Sequence, residues 1–446
     1  MIKLKKALKT SAFLLVSSLS ISTLSYSAIL ERSPTELIVK LKNNNAVSAF
    51  GKSTKVQNLF ENIYILRGQD LSQLEKELKL NKDVVYVQRN ARAQMNPLPN
   101  VETESTTLRT KSANAGQFND PKVNQIWSFD DASDNGISVN SAYKVHGTNA
   151  TETIIVAVVD SGIDRNHEDL KSILWVNQNE IPGNGIDDDN NGYIDDVNGI
   201  NTLVRDNQGR ATGNNQDTHS HGTHVAGTIG AKQNNGIGIA GIASNVRIMG
   251  IKTVPNSGDE TDINVAESFI YAAKNGARII NCSFGKGSNE GRNLIPDTLK
   301  FIQDKYGVLV IAAAGNDSKD IDSSQTFPAS HPNDNLLIVA STTSSGGLSS
   351  FSNYGKINVD VAAPGSSIYS TVLNNRYSSM SGTSMASPTT TGVAAEVLSQ
   401  YPQLSPIQLK EVLISSVTKV NSFKNKMVSG GRIDLLKALE LARTIK

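Results

Sequence analysis

Three serines, Ser381, Ser384 and Ser387, stand among small residues in "MSGTSMASPTTTG" (380–392), directly before an apolar-patterned segment. A serine hydroxyl is a weak nucleophile until a base takes its proton. Serine is also a favoured helix cap, so this segment alone leaves both readings open. Pro388 is expected in the first turn of a helix running through Val393 and Leu398, where its missing N–H costs nothing. Ser384 then stands at the helix N-terminus, where free amides and the dipole favour negative charge. Gly382 beside it lets a carbonyl approach closely, while Ser381 precedes the turn and Ser387 lies inside it. The chain has six histidines, none after Ser384, which excludes the serine–acid–histidine order of α/β-hydrolases. Three of the six, His219, His221 and His224, crowd "DTHSHGTHVAGTIGA" (217–231), where Gly222 and Gly227 permit close packing. Asp160 ends the apolar run "VAVVD", and a carboxylate there needs a partner. In the order Asp160, His221, Ser384, an acid, a base and a nucleophile could together perform acyl transfer.

Those residues need elements to hold them. From about residue 118 the sequence alternates apolar strand runs with helical patterns. "TIIVAVVD" (153–160), "VRIMGIKTV" (246–254), "ARIINCSFG" (277–285) and "VLVIAAAGN" (308–316) read as strands. "DINVAESFIYAAKNG" (262–276) reads as an amphipathic helix closed by Asn275 and Gly276, and "NLIPDTLKFIQDKYG" (293–307) as another. The alternation predicts an α/β domain, a mostly parallel sheet covered on both faces. In such sheets sites gather beyond the carboxyl ends of the strands, where Asp160, Ser283 and Asn316 fall. Upstream, residues 28–90 read as a small α+β domain. Its strands are expected at 36–42, 62–68 and 83–90, and its helix at 70–80 with Leu71, Leu74, Leu78 and Leu80 near one face. Residues 91–117 are polar and aperiodic, a linker open to proteolysis. No repeat period of 20–50 residues is evident.

The 446 residues leave room for two or three domains and a large core. Lysine plus arginine number 43 against 42 for aspartate plus glutamate, so no global field favours nucleic acid or acidic lipid. Residues 1–27 have a lysine-rich start, an apolar middle and small residues near Ser25 and Ser27, and read as a secretory signal cut after Ser27. An uncleaved anchor is the alternative, but the serine-broken apolar stretch is short for a span. No later segment looks able to cross a bilayer. The expectation is an exported protein, extracellular or periplasmic, with no stable membrane span. Cys282 is the only cysteine, so no intrachain disulfide exists, and its apolar strand setting points to a structural thiol.

Four blocks, "VVDSGID", "HGTHVAGT", "AAAGN" and "GTSMASP", resemble in sequence and in order the signatures of the subtilisin-like serine proteases (subtilases). "NDPKVNQIW" (119–127) and "GGRIDLLKAL" (430–439) fit the same resemblance, which covers roughly 118–446. It implies a three-layer domain over 118–446 that hydrolyses polypeptides through an acyl-enzyme. Asp160 would orient the base, His221 would act as base and then acid, Ser384 would attack, and Asn316 would donate to the oxyanion. It also implies that Ser283, Phe284 and Gly285 pair with substrate and wall the first specificity pocket, with Ala313 and Gly315 opposite and Thr326 near the base. By the same resemblance residues 28–90 form a ferredoxin-like propeptide that inhibits its own enzyme until self-cleavage within 91–118. The mature form would be a monomer. A catalytically silent binding protein of the same fold is the alternative, and an exported adhesin a more distant one, for which repeats or a C-terminal extension are missing.

Between Asp160 and His221 lies the acidic insert "NEIPGNGIDDDNNGYIDDVNG". Asp187, Asp189 and Asn191, then Gly192 and Asp195, have the spacing of an EF-hand loop and could hold a structural Ca2+. Asn198 stands where that loop carries a bidentate glutamate, and no helices flank it. A solvated acidic turn is the alternative. "GIGIAG" (236–241) matches a dinucleotide fingerprint by letters, but a helical pattern precedes it and a strand follows, the reverse of what the fingerprint needs. His219, His221 and His224 lack the glutamate of a zinc H-E-x-x-H helix.

Overall fold

The computed structural model describes residues 31–44, 50, 54–92, 117–207, 209–287 and 293–445. The signal reading and nearly all of the linker fall outside these residues. The first part is an antiparallel sheet of β1 (Glu31–Leu41), β2 (Lys55–Phe60), β3 (Ile63–Arg67) and β4 (Val84–Arg92), with α1 (Ser72–Leu80). Its strand order, β2-β3-β1-β4, is that of a ferredoxin-like sheet. Strand β2 went unread because "KVQNLF" does not alternate. Leu78 is buried, whereas Leu80 is 88% exposed: it is the last residue of α1, past the point where the helix covers the sheet.

The second part is built on a ten-stranded sheet. Its strands are β5 (Ile154–Asp160), β6 (Asn201–Arg205), β7 (Ala211–Thr212), β8 (Val246–Lys252), β9 (Ile279–Cys282), β10 (Leu309–Ala313), β11 (Leu336–Thr342) and β12 (Val361–Pro364). A separate hairpin, β13 (Ile368–Val372) and β14 (Arg376–Met380), precedes the final pair β15 (Thr418–Lys419) and β16 (Gly431–Arg432). The order is β15-β16-β12-β11-β10-β9-β5-β8-β6-β7. From β12 to β6 neighbours run parallel, with Val158 opposite Gly250 and Val159 opposite Cys282; only the outer pairs β6–β7 and β15–β16 are antiparallel.

Helices cover both faces: α2 (Val139–His146), α3 (His221–Gly230), α6 (Thr383–Gln400), α7 (Pro406–Ser415) and α8 (Leu435–Ala442) on one, α4 (Asp262–Lys274) and α5 (Leu294–Tyr306) on the other. Alternation along β5 separates two cores. Val156 and Val158 pack toward α3 and α6, Ala157 and Val159 toward α4 and α5. The three-layer α/β expectation holds. Helix α4 starts where the Thr261 hydroxyl accepts from the Asn264 amide and ends at Asn275, with Gly276 at φ 84°, the anticipated cap. The small sheet lies on this face too. Phe60 stacks on Phe301 at 4.7 Å between centroids, and Asp297 of α5 accepts from Lys40 Nζ at 2.9 Å and Tyr86 Oη at 3.2 Å. Among the described residues no helix is long and apolar enough to cross a membrane.

Helix α6 departs from expectation. It begins at Thr383, so Pro388 sits inside it rather than in its first turn. A proline there forfeits the bond from its own nitrogen to the carbonyl four residues back, that of Ser384. The Ser283 hydroxyl supplies the missing donor at 2.8 Å.

Candidate active site

Asp160 is the last residue of β5 and is fully buried. Its Oδ1 accepts from the Ser161 amide at 2.7 Å and lies 2.7 Å from Nδ1 of His221, also fully buried. Two neighbours sequence reasoning missed weld the strand end to the start of α3. The Ser161 hydroxyl donates to Asp217 at 3.0 Å and accepts from the Gly222 amide at 2.9 Å, while Asp217 accepts from the amide and hydroxyl of Thr223. An aspartate shortly before a helical pattern is a capping signal and could have exposed Asp217. Gly222 is required: a Cβ there would stand 2.1 Å from the Gly162 carbonyl and 3.1 Å from Asp160 Cβ. Any side chain would push α3 off the strand and separate the pair.

Nε2 of His221 is buried with no hydrogen-bond partner among the described residues. Ser384, the second residue of α6, is nearly buried, and α6 packs against α3. Its Oγ donates to the Ser283 carbonyl at 2.9 Å. The structure therefore makes the acid–base link and leaves the hydroxyl on a main-chain acceptor, not on the imidazole. The helix-cap alternative also lapses, because Gly382 is the N-cap and the Ser384 hydroxyl holds no helix amide. Ser381 accepts from the Ser367 amide, and Ser387 donates to Asn281 and the Ile311 carbonyl.

Asn316 follows β10. Its Oδ1 accepts from both the amide and the hydroxyl of Thr383 at 2.8 Å, and the same hydroxyl accepts from the Gly315 amide at 3.1 Å. With Oδ1 so pinned, the Asn316 NH2 has a fixed orientation and no partner among the described residues. Thr383 was missed, although its place between Gly382 and Ser384 was the available hint. Ser283, Phe284 and Gly285 follow β9, while Ala313 ends the neighbouring strand β10 and Gly315 comes two residues later. Thr326 is buried between them. His224 is a packing residue, as expected: its Nε2 lies 2.8 Å from the Ile368 carbonyl and burial lowers its pKa to about 3. Burial likewise pushes the Cys282 thiol well above its usual range, so it is inert.

Three residues after Ser283, Lys286 pairs with Asp262 at 3.0 Å and donates to the Glu260 carbonyl at 3.2 Å. Glu260 is buried, with one carboxyl oxygen unpartnered. Burial, opposed by Lys286, raises its pKa to about 7 from an ordinary 4.5. A carboxyl raised in the folded state binds its proton more tightly there than in the unfolded chain. Its contribution is complete below the unfolded value and disappears as pH rises through about 7. Glu260→Gln is expected to remove this loss, because the glutamine amide carries no proton to give up as pH rises. Melting curves from pH 4.5 to 8, recorded in a Ser384→Ala background to prevent autolysis, should show a flatter profile for the variant. Parallel profiles would refute it.

In the insert the structure regroups the expected ligands. Asp187 and Asp189 converge with Glu180, one oxygen from each lying within 4.8 Å of the others. Asp195 is not in this group: its two oxygens accept from the Gly183 and Gly185 amides. Asn191 turns its NH2 to Asp189 and Asp196 and its oxygen to the Tyr193 amide. Glu180 is buried, its Oε1 holds the Asp188 and Asp189 amides, and its Oε2 is buried without a partner. An orphaned carboxyl oxygen beside two more carboxylates fits a hard cation.

The sequence matches the subtilase family over residues 151–430. It is 35% identical over 347 residues to subtilisin-like protease 1 of Plasmodium berghei, covering 74% of this chain and 56% of that one. With thermitase of Thermoactinomyces vulgaris the identity is 34% over 290 residues, 64% of this chain and 88% of the relative. The chain spans about half the length of the Plasmodium berghei and Plasmodium vivax relatives it matches. Among solved structures, fervidolysin from Fervidobacterium pennivorans superposes with a TM-score of 0.68 at 24% identity, covering 92% of this chain and 61% of that one. On the sequence match, the identities and the shared fold, this chain belongs to the subtilase family.

Proposed function

We propose that the chain is a secreted serine endopeptidase, made as a proenzyme that processes itself. The observation that carries this reading is the buried Asp160–His221 pair, whose Nε2 has no partner among the described residues and stands at the N-terminus of a helix packed against the one that bears Ser384. Rotation of Ser384 about χ1, from the Ser283 carbonyl toward the imidazole, completes the relay; such bonds commonly tighten only when substrate binds. His221 then takes the hydroxyl proton as Oγ attacks the scissile carbonyl, and Asp160 stabilises the imidazolium that forms. The Asn316 NH2 and the Ser384 amide, a first-turn donor with no intrahelical acceptor, receive the oxyanion. His221 returns the proton to the leaving amine, and water, deprotonated in the same way, releases the acyl group from Ser384.

Exposure of the protein to a fluorophosphonate serine probe should label Ser384 and no other residue. Absence of labelling in processed protein would favour the silent binding protein instead. The contacts of Lys40, Phe60 and Tyr86 with α5 support the small domain as an intramolecular inhibitor, joined to the catalytic domain by the linker in which it is cut.

Glu180, Asp187 and Asp189 would hold Ca2+ in the insert. When bound, the ion supplies structural cross-linking and no chemistry of peptide hydrolysis. Neighbouring residues fasten the loop to α4, where Asp196 accepts from Tyr271 Oη at 2.5 Å and Tyr193 Oη donates to Glu267. Calcium at a hundred times its dissociation constant should stabilise the fold by about 2.7 kcal/mol. Calorimetry of the Ser384→Ala protein in calcium and in chelator tests this, with Glu180→Gln expected to abolish most of the difference. Equal melting in both media would exclude the site.

A further inference from the structure

The two segments beside Ser384 are tied to it. Ser384 and Ser283 exchange hydroxyl-to-carbonyl bonds at 2.9 and 2.8 Å, and Thr383 holds Gly315 and Asn316 on the other side. A substrate carbonyl placed between Ser384 Oγ and the Asn316 NH2 must send its neighbouring side chain into the gap between these segments. Both walls are glycine at that level, and Thr326 stands between them. A Cβ on Gly285 would lie 3.4 Å from Thr326 Cγ2 and 3.1 Å from the Phe327 carbonyl; one on Gly315 would lie 3.5 Å from the same methyl and 2.4 Å from Asn353 Nδ2. The methyl thus reaches both walls and closes the gap. It cannot retreat easily. Phe327 exchanges two 2.8 Å main-chain bonds with Lys286, and the Thr326 amide and carbonyl are held by Ser330 at 3.1 and 2.7 Å. Thr326 is 3% exposed, yet its hydroxyl has no hydrogen-bond partner among the described residues.

We propose that Thr326 floors a short pocket and selects substrates whose side chain on the acyl side of the cut is short, uncharged and able to hydrogen-bond: threonine, serine or asparagine. This rests on the proteolytic reading above. An aromatic ring would need the depth that the Thr326 methyl fills. A carboxylate or ammonium would be desolvated against a neutral hydroxyl, which is costly. A short polar side chain, by contrast, gives the orphaned hydroxyl its partner, and a site built to hydrogen-bond rejects the isostere that cannot.

The test is a peptide library varied at that position, cleaved by processed wild-type protein and by Thr326→Val and Thr326→Gly. Wild type should favour threonine over its isostere valine by about tenfold, with phenylalanine and arginine poorer still. Thr326→Val should erase the threonine-over-valine ratio, and Thr326→Gly should raise phenylalanine relative to alanine by about tenfold. Wild type cutting equally well after phenylalanine or arginine would overturn the proposal even if neither variant folds, as would variants that keep the wild-type profile. Fluorophosphonate labelling separates the two levels. Labelled Ser384 with the wrong profile refutes the pocket alone, whereas unlabelled Ser384 refutes the proteolytic reading and the pocket with it.

Discussion

Ser384→Ala is expected to lower peptide hydrolysis on the order of 10⁶-fold, the loss known for the same change in subtilisin rather than one deduced from this chain. The fold should tolerate it. Among the described residues the hydroxyl makes one bond, to the Ser283 carbonyl, so its removal costs about 1 kcal/mol, and the reciprocal bond from Ser283 to the Ser384 carbonyl is untouched. Helix α6 keeps its start because Gly382, not Ser384, is the N-cap. Processing should disappear together with turnover. Expressed without any helper protease, the variant should retain a mass that includes residues 91–117, while wild type loses the portion N-terminal to its cut. Intact-mass spectrometry reads both. A variant processed to the wild-type mass would end the claim of self-cleavage, and one that still hydrolyses peptides would end the assignment of Ser384. His221→Ala should fall equally far, and the double variant little further, since residues that act as one unit are not additive.

What could be read from the letters depended on how local each signal was. Asp160 was legible because a carboxylate closing an apolar run is a local anomaly, and the strand ends at it. The sheet and its two layers were legible because strand β5 and helix α4 carry long, clean periods. The cap at Asn275 and Gly276 was equally local. Pro388 misled because the rule for a first-turn proline assumes that nothing else can satisfy the carbonyl it orphans. Ser283, some hundred residues away, does so. Leu80 misled because helical period says nothing of where the covering sheet ends. The insert is the clearest case: loop spacing pointed to Asp195, yet the fold bends that carboxylate to the Gly183 and Gly185 amides and brings in Glu180. A carboxylate that can fold back on nearby amides does not reveal its destination by spacing alone. Thr383, Ser161 and Asp217 escaped for a related reason: they act by holding other site residues, which shows only once those residues have positions.

Asn316→Ala is expected to cut kcat by about 10²–10³-fold with KM nearly unchanged, again the magnitude established for subtilisin's equivalent donor. An interaction made mainly as charge develops on the substrate oxygen appears in kcat rather than in ground-state binding. The geometry supplies the reason. Both bonds from Thr383 go to Asn316 Oδ1, so the amide cannot flip and its NH2 is oriented before substrate arrives. That side chain is solvent-exposed, but alanine deprives buried Thr383 of the acceptor for its amide and hydroxyl, so stability should fall by about 1–3 kcal/mol, which leaves the protein folded and the kcat comparison valid. Asn316→Asp sharpens the test: it keeps an oxygen for Thr383 but sets an acceptor against the oxyanion, and its kcat should fall below that of the alanine variant. Thr383→Val, which removes one of the two anchoring bonds and spares the donor, should fall between alanine and wild type. Steady-state kinetics on one peptide ranks all four proteins. An alanine variant within threefold of wild-type kcat would show that Asn316 is not the donor, and an aspartate variant more active than alanine would show that no oxyanion forms opposite it.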